Sequence, residues 1–181
     1  MADVLNLPGD PGNTATLEQI IRVDHAGEFG AKRIYEGQLA VLKNTSAAPV
    51  ITHMKEQELI HLKYFEEQIA KRHIRPTVLS PIWHIAGFAL GAVTAMMGEK
   101  AAMACTVAVE EVIDEHYRNQ LETLGESEPE LKEAIETFRQ EELEHRDIGL
   151  EHEAEQAPAY ALLSQAIKIG SKAAIWLSTR F

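Results

Sequence analysis

Two short segments of the sequence each place a histidine three residues after a glutamate, Glu58 with His61 and Glu142 with His145. Residues three apart share one face of an α-helix, so each segment presents a carboxylate and an imidazole side by side. At helical spacing both pairs fall within stripes of apolar residues, which mark the buried face of a helix. Carboxylates and imidazoles are unexpected on the core-facing side of a helix, so these two pairs are candidates for a functional site.

Two more helical stripes each contain a single glutamate, Glu28 and Glu110. The neighbouring Glu111 is not the candidate, because it would point about 100° away from that stripe. The order repeats along the chain, since Glu28 precedes Glu58 by 30 residues and Glu110 precedes Glu142 by 32. Two antiparallel helical hairpins would therefore gather six side chains at one level of a bundle. The six candidates are Glu28, Glu58, His61, Glu110, Glu142 and His145.

Four carboxylates need compensating charge in an apolar interior, because a carboxylate buried alone in its ionised form is strongly destabilising. The four stripes contain no lysine or arginine. Two divalent cations would neutralise the four carboxylates, and the two imidazoles would serve as neutral ligands. This pattern is the known ligand set of ferritin-like di-iron and di-manganese proteins. A single Glu-x-x-His pair is common on protein surfaces, so the hypothesis depends on the coincidence of four helices.

Six helices are predicted to position these residues. The first extends over about 15–43, and the second starts at the turn 44–49 and ends near residue 72. The other four extend over about 82–97, 99–124, 129–156 and 159–178. Ser127 and Glu130 match a capping box that would open the fifth helix. No segment shows sustained period-two alternation, so no strand is predicted. The predicted fold class is all-α, a ferritin-like four-helix bundle with two additional apolar or amphipathic helices. One domain is expected over 1–181, with a flexible arm at 1–13.

Charge and cysteine content narrow the function classes. The net charge of −11 argues against a nucleic-acid partner, whose phosphates such a surface would repel. The single cysteine, Cys105, excludes an internal disulfide and a cysteine-based zinc site. The N-terminal sequence is typical of neither a secretory signal nor a transit peptide.

Four segments carry a resemblance to a known family. "RVDHAGEFGAKRIYEGQLAVL", "EQELIHL", "CTVAVEEVIDEHYRNQL" and "FRQEELEHRDIGLEHEAEQAPAY" closely resemble the demethoxyubiquinone hydroxylase family of ubiquinone biosynthesis. The resemblance extends from about residue 20 to the C-terminus. It implies a membrane-bound di-iron monooxygenase that hydroxylates the ring of a demethoxyubiquinone. The metal ligands of the family fall on the six positions already selected.

The resemblance also implies cofactors and partners. We expect two iron ions per chain, dioxygen as co-substrate, and an external reductant, with reduced nicotinamide as the electron source. The expected partners are a polyprenyl quinone substrate, a membrane surface and other ubiquinone-biosynthesis proteins. The sequence leaves open whether the chain forms a homo-oligomer, which quinone tail it accepts, and whether another ring position is hydroxylated.

Four residues beside the candidate ligands could assist the chemistry. Tyr117 shares a stripe with Glu110 and is a candidate for substrate positioning or electron relay, although it could equally be a packed core tyrosine. Asp24 or Asp147 could hold the second nitrogen of a ligand histidine. Gly149, one turn beyond His145, is expected to leave open volume where a ring could enter.

Two helices are candidates for contact with a membrane. The helix at 81–97 is apolar but shorter than the roughly 20 residues that a membrane span requires. The helix at 159–178 is amphipathic and carries Lys168 and Lys172 opposite its apolar face. This pattern predicts docking in the plane of an anionic membrane, although the apolar face could instead pack on the bundle. The expected location is peripheral, on a bacterial cytoplasmic membrane or on the matrix face of the mitochondrial inner membrane.

Two other functions are compatible with the residues. A ferritin-like protein could store iron or scavenge peroxide, and a store would bind many more irons per chain than a catalyst. A non-enzymatic lipid-binding bundle could hold a structural metal, and it would carry out no oxidation.

Overall fold

The computed structural model describes residues 13–181, and most of these residues are helical. The helices are α1 (Asn13–Leu42), α2 (Ala48–Arg72), α3 (Ser80–Met96), α4 (Glu99–Leu124), α5 (Pro129–Glu151) and α6 (Tyr160–Arg180). A 3₁₀ turn, Ala154–Gln156, lies between α5 and α6. The described residues contain no β-strand, which confirms the predicted all-α class. The predicted arm at 1–13 lies, except for its last residue, outside the described residues.

Two local predictions at the ends of α5 are wrong. The helix ends at Glu151 and not near residue 156, because Glu153 adopts a left-handed conformation with φ of 61°. The capping box does not form either, since the Ser127 hydroxyl donates to the carbonyl oxygen of Leu124 at 2.7 Å. That carbonyl lies at the end of α4, where carbonyl oxygens have no hydrogen-bond partner within the helix, and Ser127 is close enough in the chain to supply one. Ser127 therefore closes α4 and does not open α5.

Each half of the chain contributes a helical hairpin and one outer helix. α1 packs against α2, and α4 packs against α5, so that these four helices enclose the apolar stripes. α3 lies along α1, whereas α6 lies along α4 and also contacts α1. The two halves, α1–α3 and α4–α6, thus have matching arrangements of helices. The four glutamates predicted to lie on the inner faces are carried by the four central helices.

Glycines let α3 approach α1 at the distance of a backbone contact. A Cβ atom on Gly91 would lie 1.9 Å from the carbonyl oxygen of Ile34, and one on Gly37 would lie 2.2 Å from that of Phe88. Neither position can therefore accept a side chain unless the helices separate. This packing buries one face of α3 and leaves apolar residues on its outer face exposed, including Ile85 and Met96.

The C-terminal residues are tied to α3 and to the segment just before it. The indole nitrogen of Trp83 donates to the Ser178 hydroxyl at 3.0 Å, and the Thr77 hydroxyl donates to the carbonyl oxygen of Phe181 at 2.7 Å. α3 and α6 therefore form one outer layer over α1 and α4. Between residues 13 and 181, no helix is both long and apolar enough to cross a membrane.

Candidate metal centre

The fold brings all six predicted side chains together in the interior. Their ligand atoms form two groups, and within each group the atoms lie within 4.8 Å of one another. The first group, here named position A, contains Glu28, Glu58, His61 and Glu142. The second, position B, contains Glu58, Glu110, Glu142 and His145. Glu58 and Glu142 are shared, which is the arrangement expected for two neighbouring cations bridged by carboxylates.

Both histidines turn the same ring nitrogen towards the carboxylates. Nδ1 of His61 lies 3.1 Å from Glu142 Oε1 and 3.5 Å from Glu28 Oε2. Nδ1 of His145 lies 3.0 Å from Glu142 Oε2 and 3.3 Å from Glu58 Oε1. The two Nδ1 atoms therefore face the inside of the cluster, whereas the two Nε2 atoms face outwards.

Without a metal ion, bound protons on the glutamates and histidines compensate the negative charge of the cluster. Burial raises the pKa of both Glu58 and Glu110 well above the usual value, and the charge of Glu142 raises both further. Burial acts in the same direction on Glu142, but hydrogen bonds with His145 and His61 outweigh it and lower the pKa of Glu142 to about 2. Burial lowers the pKa of His61, but its bonds to Glu142 and Glu28 dominate and raise that pKa to about 12. The cluster thus requires positive charge from some source.

Divalent cations fit this requirement. The Glu58 oxygens are buried, and neither has a hydrogen-bond partner among the described residues. Within residues 13–181 the ion pairs of the four glutamates involve only histidines, with no lysine or arginine. Carboxylate and imidazole donors without a thiolate suit iron or manganese. The donor set and its unsatisfied oxygens are therefore compatible with two bound metal ions.

Two buried tyrosines connect the halves of the cluster. Tyr35 on α1 donates to Glu110 Oε1 on α4 at 3.0 Å, and Tyr117 on α4 donates to Glu28 Oε1 on α1. Burial, together with the adjacent carboxylates, raises the pKa of both phenols well above the usual value, so both remain donors. Sequence reasoning selected Tyr117 but gave Tyr35 no role. Each tyrosine follows the glutamate of its own helix by seven residues, and that repeat could have identified Tyr35.

The outward nitrogens of the histidines contact residues that sequence reasoning missed. Nε2 of His61 lies 2.5 Å from Glu141 Oε2, and Nε2 of His145 lies 3.0 Å from Gln57 Oε1. Gln57 and Glu141 each directly precede a candidate ligand in the sequence, and each contacts the histidine of the opposite half. In the sequence, only this position directly before a candidate ligand could have pointed to the two residues.

Neither aspartate expected at these nitrogens is there. Asp24 Oδ1 accepts from the amide of Gln120 at 2.6 Å and lies 3.2 Å from His116 Nε2. Asp147 is exposed and pairs with its neighbour Arg146. Helical periodicity had placed Asp24 on the correct face, but it lies one turn too far from the level of the histidines.

Gly149 does not leave open volume, contrary to the prediction. A Cβ atom there would lie 2.7 Å from Val107 Cγ2 and 3.2 Å from the carbonyl oxygen of Met103. The glycine therefore serves the close packing of α5 on α4.

Open volume lies instead between α1, α3, α4 and α6. A cavity of about 330 Å³ is lined almost wholly by apolar groups. Gly27 and Gly30 form part of its wall, and a Cβ atom on either glycine would meet nothing within 4 Å. Glycine inside a helix is destabilising by about 1 kcal/mol relative to alanine, and no close packing requires it at these two positions. The effect of both glycines is to widen the cavity.

The inner end of the cavity adjoins position B. Ala31, Ile34 and Val109 line the cavity, and they also line a small void that reaches Tyr35 and Glu110. Three apolar side chains therefore separate the cavity from a candidate metal ligand.

The helical fold and the buried carboxylate and histidine cluster define a ferritin-like bundle. Residues 15–178 match the family described as ubiquinone biosynthesis protein COQ7, and the chain belongs to this family. Over 175 residues it is 59% identical to 3-demethoxyubiquinol 3-hydroxylase of Rhodospirillum rubrum, covering 96% of this chain and 82% of that protein. The resemblance inferred from the sequence is thereby confirmed.

Eukaryotic relatives extend the comparison. Over 173 residues the chain is 58% identical to the mitochondrial NADPH-dependent 3-demethoxyubiquinone 3-hydroxylase of Mus musculus, covering 93% of this chain and 80% of that protein. It is 40% identical over 183 residues to the mitochondrial 5-demethoxyubiquinone hydroxylase of Saccharomyces cerevisiae, covering 92% of this chain and 78% of that protein.

Proposed function

We propose that this protein is a di-iron, dioxygen-dependent monooxygenase that hydroxylates the ring of a demethoxyubiquinone in ubiquinone biosynthesis. The observation that carries the proposal is the convergence of Glu28, Glu58, His61, Glu110, Glu142 and His145 beside an apolar cavity. The family and the names of the relatives support the same reaction.

The six side chains would divide two iron ions between them. Glu28 and His61 would be the terminal ligands at position A, and Glu110 and His145 those at position B. Glu58 and Glu142 would contact both ions. When bound, ferrous ions would supply electrons to dioxygen, and the tyrosine hydroxyls would hold Glu28 and Glu110 in place by hydrogen bonding.

The balance of the reaction requires an external reductant. One oxygen atom of dioxygen enters the ring in place of hydrogen, and the other leaves as water, so each turnover needs two further electrons and two protons. The mouse relative is named as NADPH-dependent, which supports reduced nicotinamide as the source.

The apolar cavity is the proposed site for the quinone. Its volume and lining are typical of small-molecule sites, and its inner end lies beside position B. Tyr117 is not among the described residues that line it, whereas its hydroxyl contacts Glu28. We therefore assign Tyr117 a positioning role on Glu28 and no direct contact with the substrate.

The outer layer of α3 and α6 is the proposed membrane-facing surface. Ile85, Leu162, Ile169 and Trp176 are all at least half exposed there. The quinone would then pass between the two helices from the bilayer into the cavity. This location is peripheral, because the side chains would enter only the boundary of the bilayer.

An anaerobic iron titration followed by oxygen tests the proposal. The full chain is loaded with ferrous ion and mixed with a demethoxyubiquinone, reduced nicotinamide and ¹⁸O-labelled dioxygen. We expect maximal product at two irons per chain, with one labelled atom in the new hydroxyl group. Glu58→Ala should abolish product, whereas Glu144→Gln, an exposed change on α5, should retain it.

The alternatives give different results in the same experiment. Iron storage predicts many irons per chain and no hydroxylated quinone. A lipid-binding bundle with a structural metal predicts bound quinone that remains unchanged under every reductant. Product formation that survives Glu58→Ala would reject the assigned site.

A further inference from the structure

The two candidate histidines differ in the charge of their outer partners. Nε2 of His61 contacts the carboxylate of Glu141 at 2.5 Å, whereas Nε2 of His145 contacts the neutral amide oxygen of Gln57 at 3.0 Å. Both contacts cross from one half of the bundle to the other, and both involve the residue directly before a shared glutamate. The geometry is therefore matched between the halves, while the chemistry is not.

The candidate ligands of the two positions are matched in residue type. Positions A and B each have one terminal glutamate, one histidine and the same two shared glutamates. Each terminal glutamate accepts a hydrogen bond from a tyrosine of the opposite half. Among the hydrogen bonds that the described residues make to the six candidate ligands, the outer bond of the histidine is the one whose partner differs in charge, Glu141 at position A and Gln57 at position B.

A carboxylate that accepts the outer N–H of a histidine makes the ring a stronger metal ligand than an amide does. It also adds negative charge near the cation. We propose that position A binds a divalent cation more tightly than position B and fills first, because Glu141 supports His61. This inference rests on the proposed function only in requiring that the six residues bind metal.

The size of the difference follows from the exposure of Glu141. Changes to such outer partners typically alter metal affinity by 10–100-fold. The Glu141 side chain is 34% exposed, so solvent screens part of its charge. We therefore expect a difference of about tenfold, at the lower end of that range.

The arrangement places the weaker position next to the cavity. The void that adjoins the cavity reaches Glu110, a terminal ligand of position B, and Tyr35, its hydrogen-bond donor. The ion nearest the proposed quinone site is thus the one held less tightly, and a chain carrying one metal ion holds it on the far side.

Anaerobic titration of the metal-free full chain with Co²⁺ tests the inference without any turnover, since each bound ion is detected by its visible absorption. The native chain should fill in two steps whose dissociation constants differ by about tenfold. Glu110→Gln, which removes a terminal ligand from position B, should keep the tighter step. Glu28→Gln should lose the tighter step and keep the weaker one.

Exchange of the outer partners should reverse this order. Glu141→Gln should weaken the tighter step by about tenfold, and Gln57→Glu should strengthen the weaker step by a similar factor. The chain carrying both substitutions retains the net charge, and position B should then fill first. Glu144→Gln removes one acid from the exposed side of the same helix and should leave both steps unchanged, which controls for general loss of charge.

Two results would overturn the inference. One is equal affinity at the two positions of the native chain, and the other is an equal weakening of both steps by Glu141→Gln. Failure of the native chain to bind Co²⁺ at all would instead reject the proposed metal centre. Circular dichroism of each metal-free variant shows whether the helices are retained.

Discussion

Both carboxylate oxygens of Glu58 are buried, and neither has a hydrogen-bond partner among residues 13–181. Burial and the neighbouring Glu142 raise the pKa of Glu58, so the metal-free protein must either keep it protonated or bury a charge. Glu58 therefore opposes folding of the metal-free protein, while its two oxygens remain available to a cation. Sites of this kind are expected where function requires a locally unfavourable arrangement.

We predict that Glu58→Gln stabilises the metal-free protein while weakening metal binding. The amide has nearly the same shape but no charge to bury, so the free energy of unfolding should rise by roughly 1–3 kcal/mol at neutral pH. Urea denaturation in the presence of a chelator measures the stability, and Co²⁺ titration measures the affinity. A variant that loses stability in the chelated state would contradict the unfavourable role of Glu58.

The stability of the metal-free protein should also fall as the pH rises above about 6.5. Because the pKa of Glu58 is raised above its ordinary value of 4.5, the contribution of Glu58 to stability already falls as the pH rises above 4.5 and continues to fall above 6.5. The pKa of His61 is raised from 6.5 to about 12, so its stabilising bonds are complete below 6.5 and are lost progressively towards 12. Both effects have the same sign in this range. Denaturation at about pH 6.5 and about pH 9 measures the slope, which should be smaller in Glu58→Gln.

At the scale of helices, glycine has two opposite uses on α1 and α3. Gly37 and Gly91 permit close packing, whereas Gly27 and Gly30 leave space unfilled. The sequence alone does not distinguish these uses, because each is a glycine inside a helical segment. The difference becomes visible only when the neighbouring helix is in place.

We predict that Gly91→Ala destabilises the protein by about 1–3 kcal/mol, because the new methyl group would overlap the backbone of α1. Gly170→Ala on α6 is the matched control, since its Cβ atom would meet nothing within 4 Å. That change should be neutral or stabilising by up to about 1 kcal/mol, as expected from helix propensity. Thermal denaturation compares the two, and equal effects would show that α3 does not approach α1 this closely.

We predict that Gly30→Leu blocks the quinone while leaving the metal centre intact. The new side chain would enter the cavity and occupy volume beside Ile34. Product formation should fall at least tenfold, whereas Co²⁺ binding should keep both steps. Ala40→Leu, an exposed change on the same helix, is the control for added bulk. Undiminished turnover in Gly30→Leu would place the substrate elsewhere.

The helices themselves could largely be predicted from the sequence, because apolar periodicity and helix-breaking residues specify them locally. The same periodicity placed all six candidate ligands on inner faces. Periodicity could not assign the contacts of Gly149, of Asp24 or of the outer nitrogens of the histidines, because those contacts depend on how one helix is rotated against another. Gln57 and Glu141 lie at the flanks of their stripes, where periodicity cannot determine the neighbour.

At the scale of the whole molecule, the charges of α6 are balanced within the protein. Lys168 pairs with Glu111, and Lys172 donates to Glu115 at 2.7 Å. These lysines therefore provide less attraction to anionic lipid than the sequence pattern indicated. The proposed contact with a membrane depends mainly on the exposed apolar side chains of α3 and α6.

We predict that binding to vesicles is sensitive to apolar side chains and only weakly sensitive to salt. Ile85→Glu or Trp176→Glu should each reduce partitioning at least tenfold, because burial of such a side chain contributes about 1.5–3 kcal/mol. Neutral phosphatidylcholine vesicles and mixed vesicles with phosphatidylglycerol should bind similarly, even at high ionic strength. Lys63→Glu, an exposed change on α2, serves as the charge control in co-sedimentation. Binding that is lost at high salt would indicate electrostatic docking instead.

The matching halves have a consequence for how such a molecule can diversify. A three-helix unit equivalent to residues 13–97, paired with an identical copy about a twofold axis, would already supply all six ligands. In a homodimer of that kind every substitution appears twice, so the two metal positions stay equal. A fused chain is free of this restriction, and substitution at a single codon can give the two ions of one centre separate tasks.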